Sequence, residues 1–175
     1  QKFRPVITDD DIHDYYVSMS SNFALNETIV KCIFVVLPSD SPDITTFLKS
    51  FSFKSDDDYA KIENYVFSFS KRSLMSLDKW LSLSSVRNYF PSGQQPAETS
   101  LDSNCLYKVT ESGLIYLLYV SDIKKMDEVA PEDFVHDKIY SILLNKKKVD
   151  FVKQMSSDLY REALDNNVIK FYERE

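Results

Sequence analysis

Residues 29–37, Ile-Val-Lys-Cys-Ile-Phe-Val-Val-Leu, form an apolar run rich in β-branched side chains, closed by Pro38. Such a run is too short for a buried helix and carries no polar alternation, so it predicts a strand covered on both faces. Pro38 lacks the N–H needed to continue a ladder and marks the strand's end. A central strand needs partners, and the best candidates lie downstream. Leu106–Val109 and Leu114–Val120 read as a hairpin, with the loop Thr110-Glu111-Ser112-Gly113 supplying a glycine for a positive-φ position.

The remaining elements are mostly helical. Thr8 followed by Asp9, Asp10 and Asp11 predicts an N-cap and an acidic first turn. Ile12, Tyr15, Tyr16 and Met19 then recur at helical spacing, to an end near Ser21 or Asn22. After a turn at Ser39–Asp43, helical signals run from Ile44 to Phe51 and from Asp56 to Ser70. The second of these carries Tyr59, Ile62, Tyr65, Val66 and Phe69 on one stripe. Trp80, Leu81 and Leu83 predict a short strand, Val86–Phe90 a short helix or turn, and Pro91–Asn104 a loop.

Pro131 opens the last helix at its first position, with Glu132 and Asp133 behind it. A stripe of Val135, Ile139, Ile142, Val149, Val152, Leu159 and Ala163 carries it to Asp165. Asn166-Asn167 then reads as a C-cap, and Val168–Tyr172 as a terminal extended piece. Some 30 helical residues would span about 45–50 Å, so the helix is expected to bridge two units or to break near Asn145. Its distal stripe is expected to pack on the helix that follows Thr8. The fold class is therefore α+β: a small antiparallel sheet with helices, flanked by an amino-terminal helix and a long carboxy-terminal one.

Composition bounds the function. The 175 residues fit one domain, or a small domain held inside another, and 12 Phe with 11 Tyr give ample core material. A net charge of −6 disfavours nucleic acid as a partner. No apolar run approaches the roughly 18 residues of a membrane span, and Gln1 in place of an initiator Met points to a processed or trimmed chain. Only two glycines occur, so a Gly-rich phosphate loop is excluded. Cys32 and Cys105 form no metal or redox motif, and two free buried thiols are favoured over one disulfide.

No residue pattern supports covalent chemistry. His13 and His136 both fall on predicted helices and read as surface side chains rather than as a base or ligand. There is no zinc spacing and no GxSxG elbow, so neither metal nor cofactor is expected. Asp9–Asp11 and Asp56–Asp58 lack the ligand alternation of a calcium loop and sit where acids cap helices. Lys146-Lys147-Lys148 reads as a solvated helix face. Aromatic side chains are the distinctive resource, serving as core and, in part, as a surface for extended apolar segments.

Three stretches and the closing helix resemble one family. ITDDDIHDYYVSMSSNF (residues 7–23) is similar to the segment that precedes the isomerase domain in SurA-like and PpiC-like chaperones. IVKCIFVVL resembles the first strand of a parvulin domain, and LYKVTESGLIYLLYVSDIKK (106–125) its last hairpin. The stretch from Val129 to Glu173 is similar to the helix and short strand that return to the chaperone module. Residues 38–104 match poorly. Phe34 stands where the family has its first-strand histidine, and Tyr116 or a neighbour stands where it has the second. SLMSLDKWL (73–81) keeps Trp80 of a glycine-rich stretch and none of its glycines.

The resemblance therefore implies a degenerate parvulin-like domain over 28–126. It is set between 1–27 and 127–175 of a helical chaperone-like module whose amino-terminal part is mostly missing. It implies no catalytic residues, and the expected client contacts, taken from the aromatic side chains, are Phe34, Trp80, Tyr89, Phe90 and Tyr116. The expected activity is binding of unfolded or extended envelope polypeptides, in the periplasm or cell envelope, in the service of outer-membrane biogenesis. The alternatives are a prolyl isomerase with a non-standard site and a structural adaptor in an envelope assembly. Nothing in the sequence fixes an oligomeric state.

Overall fold

The computed structural model describes residues 3–55 and 57–165. Strand β1 (Ile29–Pro38) is buried along nearly its whole length, as its composition requires; Lys31 and Pro38 are its half-exposed exceptions. It is flanked by β2 (Arg72–Ser82) and β4 (Leu114–Lys124), and β3 (Cys105–Glu111) completes a four-stranded antiparallel sheet in the order β2-β1-β4-β3. The protein is α+β, with the α-helices α1 (Asp9–Met19), α2 (Ile44–Ser50), α3 (Asp58–Phe69), α4 (Leu83–Arg87) and α5 (Glu132–Asp165). Asn166-Asn167 and the expected extended piece at Val168–Tyr172 lie outside the described residues.

Two compact units emerge. One spans 24–130 and holds the sheet; the other is made of 3–23 and 131–165. In the first, alternation along β1 sorts two cores. Val30, Cys32, Phe34 and Val36 face Leu83, Val86, Phe90 and Leu101. Ile33, Val35 and Leu37 face Phe47 and Phe51 from the α2 segment and Ile62 and Val66 of α3. The α3 stripe is narrower than predicted: Ile62 and Val66 are buried, whereas Tyr59 and Phe69 stay exposed. Tyr65 stacks on Phe47 at 4.1 Å.

The hairpin turn is tighter than expected. Ser112 and Gly113 both adopt positive φ (51° and 75°), as a two-residue type I′ connection demands, and the strands run to Glu111 and from Leu114. The larger departure is β2. A short strand at 80–83 was expected; instead the strand covers 72–82, and Leu83 begins α4. Its register breaks between Val30↔Leu81 and Cys32↔Ser76, leaving residues 77–80 as a bulge whose base is tied by Ser76 Oγ donating to the Lys79 carbonyl at 3.0 Å. Serine, aspartate and lysine lower strand propensity and hid this element. On the other side of β1, Ser121 is the extra residue, and its hydroxyl donates to the Lys31 carbonyl at 3.0 Å.

In the second unit, α1 starts as predicted. Thr8 Oγ1 accepts from the Asp11 N–H, and the Asp11 carboxylate accepts from the Thr8 N–H, both at 3.2 Å. The Thr8 N–H, then Lys147, holds the Asp11 carboxyl below its ordinary value. Lys147 thus leaves the solvated face assigned to its cluster, its ammonium 3.3 Å from Asp11. At α3, Asp58 accepts from the Ser55 N–H at 2.9 Å and pairs with Lys61 at 3.0 Å, a capping role for that acid.

Helix α5 runs unbroken through Asn145 for 34 residues, about 51 Å at the ordinary rise. Pro131 stands one place before its first residue, within the usual uncertainty of helix ends. α1 packs on α5, and the buried side chains of the two helices are Ile12, Val135 and Ile139. The distal stripe does not pack as expected, since Val149, Val152 and Leu159 are exposed. Phe23 carries the rings of Tyr16 at 6.2 Å and Tyr15 at 6.5 Å.

Ile139→Ala should cost about 2–5 kcal/mol in chemical denaturation. Leu159→Ala, at a site 57% exposed, should change stability by about 0.5 kcal/mol or less. Equal losses for the two would mean the core of this unit is misplaced.

The two histidines link the same helices. His13 Nδ1 lies 2.9 Å from Glu132 Oε2, and His136 Nε2 lies 3.5 Å from Asp9 Oδ1. Both imidazoles are raised above the ordinary value near 6.5, His13 chiefly by the bond to Glu132 and His136 chiefly by Asp137, then by Asp9. A raised folded-state value stabilises fully below the unfolded value and loses that contribution as pH rises through the folded one. Hydrogen exchange of residues 9–19, corrected for its intrinsic pH dependence, should therefore quicken as pH climbs from about 6 to 8. His13→Asn should flatten that response.

Candidate functional site

The face of β1 bearing Phe34 supports a cluster of rings. Helix α4 buries Leu83 and Val86, and the turn after it brings Tyr89 and Phe90 onto the strand, with the N–H of each donating back to the Val86 and Arg87 carbonyls at 3.1 Å. The Phe34 centroid lies 5.4 Å from Tyr89, nearly parallel, and 5.2 Å from Phe90, edge-on. Phe90 extends the cluster to Tyr107 at 5.7 Å and Tyr116 at 6.2 Å. Tyr107 donates its hydroxyl to the Gln94 carbonyl at 3.2 Å, which fixes the loop over the cluster.

Of the five residues expected to contact clients, Phe34, Tyr89, Phe90 and Tyr116 are thus brought together. Trp80 is not part of this core cluster; it sits on the β2 bulge, with the Lys31 ammonium 4.9 Å from its ring centroid. Phe34 and Phe90 are buried, while Tyr89, Tyr116 and Trp80 are half-buried. Phe34 therefore acts as a wall. Beside it lies a cavity of about 150 Å³ lined by Phe34, Arg72, Ser73, Leu74 and Tyr89. Leu74 is the register partner of Phe34, and Arg72 that of Val36. The Arg72 guanidinium carbon stands 4.9 Å over the Tyr89 ring, a cation–π contact that orients it.

Arg72, Ser73 and Leu74 escaped the sequence reading because the strand carrying them did. The available signal was Leu74 in a segment closed by Trp80-Leu81, which called for a longer strand than the one assigned. Among the described residues β2 pairs with β1 alone, so its other side is an open edge there, and β2 residues Arg72, Ser73 and Leu74 line the cavity.

The chemistry of this face is muted. Cys32 shares the Phe34 core, and burial pushes its thiol up to about 12, so it stays protonated at neutral pH and is a poor nucleophile. Cys32 and Cys105 are both free, the second half-buried rather than buried. Both lie opposite Val120 on either side of β4. Two strand spacings, about 9–10 Å, exceed disulfide reach. The unit 24–130 contains no histidine. Among the described residues no three His, Cys, Asp or Glu side chains group as metal ligands, and no helix is long and apolar enough to cross a membrane.

A second cavity in the same unit, about 210 Å³, is lined by Glu27, Thr28, Ser84, Arg87 and Glu98 among others. Glu27 accepts from the Ser82 and Ser84 hydroxyls, and Glu98 from that of Thr28.

No family model and no curated protein matches this chain. Among solved structures, one similar chain comes from a study of the virulence factor PEB4 and the periplasmic protein Cj1289, described as structurally related SurA-like chaperones of Campylobacter jejuni. The identity is 12% and the TM-score 0.42, over 97% of this chain and 65% of that one. This chain thus spans less than two thirds of that structure.

A thiol reagent should label Cys105 in the native protein and Cys32 only on unfolding. Phe34→Ala should cost about 3–5 kcal/mol, the loss typical of a fully enclosed ring. Rapid labelling of Cys32 under native conditions would contradict this packing.

Proposed function

We propose that this chain is a chaperone-like polypeptide-binding protein that takes extended segments along the open edge of β2, without covalent chemistry. The observation that carries the reading is the coincidence of a strand edge that is unpaired among the described residues with a ring-lined cavity on the same strand. Strand addition supplies main-chain hydrogen bonds irrespective of sequence, and the adjacent pocket selects alternate side chains. The resemblance of 7–23, 29–37 and 106–125 to SurA-like and PpiC-like chaperones supports the same reading. In it, residues 28–126 are a degenerate parvulin-like domain, the clients are unfolded envelope proteins, and the location is the periplasm or cell envelope. Phe34 and Phe90 shape the site from beneath, and Tyr89 and Tyr116 offer partly exposed ring surface to the client.

The isomerase alternative is disfavoured by the same face. The unit 24–130 has no histidine, so the two histidines that isomerases of the resembling family carry have no counterpart there. A protease-coupled assay on a Xaa-Pro peptide should show only the uncatalysed rate.

Light scattering of a diluted unfolded β-barrel protein tests the main reading. Near stoichiometric amounts of this protein should slow aggregation, and Tyr89→Ala combined with Leu74→Ser should weaken that effect. An unchanged curve at several-fold excess would sink the reading. Capture of one folded partner with no retention of unfolded clients would point to the adaptor instead.

A further inference from the structure

We infer that the β2 edge beside Phe34 is built for the carboxyl terminus of an extended chain, with the last side chain in the cavity and the free carboxylate on Arg72. This rests on the edge-docking reading above and goes beyond it by naming the ligand's chemistry.

The argument begins with Arg72. Its guanidinium lies over the Tyr89 ring, and among the described residues it has neither an ion pair nor a side-chain hydrogen bond. A planar, exposed fork held on one face by a ring keeps its N–H groups for a carboxylate, which it can take in bidentate fashion. The same Arg72 lines the cavity formed by Phe34, Leu74 and Tyr89. At about 150 Å³ this space matches the size of apolar cavity that accommodates a benzene ring, so it takes one large apolar side chain.

The closeness of cation and cavity separates a terminus from an internal acid. Along a strand, the next side chain on the same face lies two residues away, about 6.6 Å. A terminal carboxylate is bonded to the very Cα that bears the apolar side chain, so one residue satisfies both features. The protein's net charge of −6 also disfavours acid-rich segments and leaves a single carboxylate on an otherwise apolar chain as the better match.

Fluorescence anisotropy with the whole chain tests this. The probes are a labelled six-residue extended peptide ending in Phe as the free acid, its C-terminal amide, and a longer peptide with the same Phe internal and followed by Glu. The acid should bind about tenfold more tightly than the amide. Arg72→Gln should abolish that difference, and Arg72→Lys should retain part of it. Circular dichroism confirms that each variant is folded, and backbone NMR shifts should map to residues 72–76. Equal binding of acid and amide, with shifts still on 72–76, would overturn the carboxylate assignment while leaving edge docking intact. Equal binding of the internal Phe-Glu peptide would overturn the terminus. No binding by any peptide, with 72–76 unperturbed, would overturn edge docking itself.

Discussion

Everything in the sheet-bearing unit follows from the need to cover β1 on both faces. Of its ten residues, eight are buried, and a strand of this kind is unstable until both sides are dry. One face is closed by α2 and α3, the other by α4 and the loop that follows it. The two closures differ in kind. The first rests on two helices and includes the rings of Phe47, Phe51 and Tyr65, whereas the second rests on the short α4 and the turn that brings Tyr89 and Phe90 over Phe34. The cavity beside Phe34 lies on this second face, lined also by Arg72, Leu74 and Tyr89.

That contrast also explains what the sequence made legible. β1, the last hairpin, α1 with its capping box and α5 were all readable, because each rests on local rules: an apolar run, a Ser-Gly turn, a Thr-x-x-Asp cap, a 3.6-residue stripe. β2 was not, because half of its surface faces water and its register depends on β1. Arg72 and Leu74 could not be assigned to a site while their strand was unseen. Phe34, Tyr89, Phe90 and Tyr116 could be named from aromatic content and family resemblance, but nothing local revealed that two of them are walls. The α5 stripe misled in the other direction. Periodicity reports which side chains share a helix face, and Val149, Val152 and Leu159 do share one, yet burial requires a neighbour that periodicity cannot supply.

The face also has little chemical reactivity. Burial raises the Cys32 thiol and leaves it a small apolar group, and the chain's two imidazoles belong to the other unit, occupied with Glu132, Asp9 and Asp137. What remains in the cavity lining is shape, ring surface and the Arg72 cation.

The bulge at 77–80 has a bearing on the protein's own solubility. An open strand edge invites copies of itself, and two such edges laid side by side begin a fibre. Here the straight, pairable stretch ends at Ser76. Beyond it the backbone swings out, Asp78 and Lys79 are exposed, and the Ser76–Lys79 hydrogen bond holds that excursion in place. A copy docking along the whole of β2 would meet charges and a misregistered backbone after five residues, while a short flexible guest would not reach that far. Under the edge-docking proposal, the kink would act as a length filter, setting a reach within which visitors are admitted and an identical neighbour is turned away.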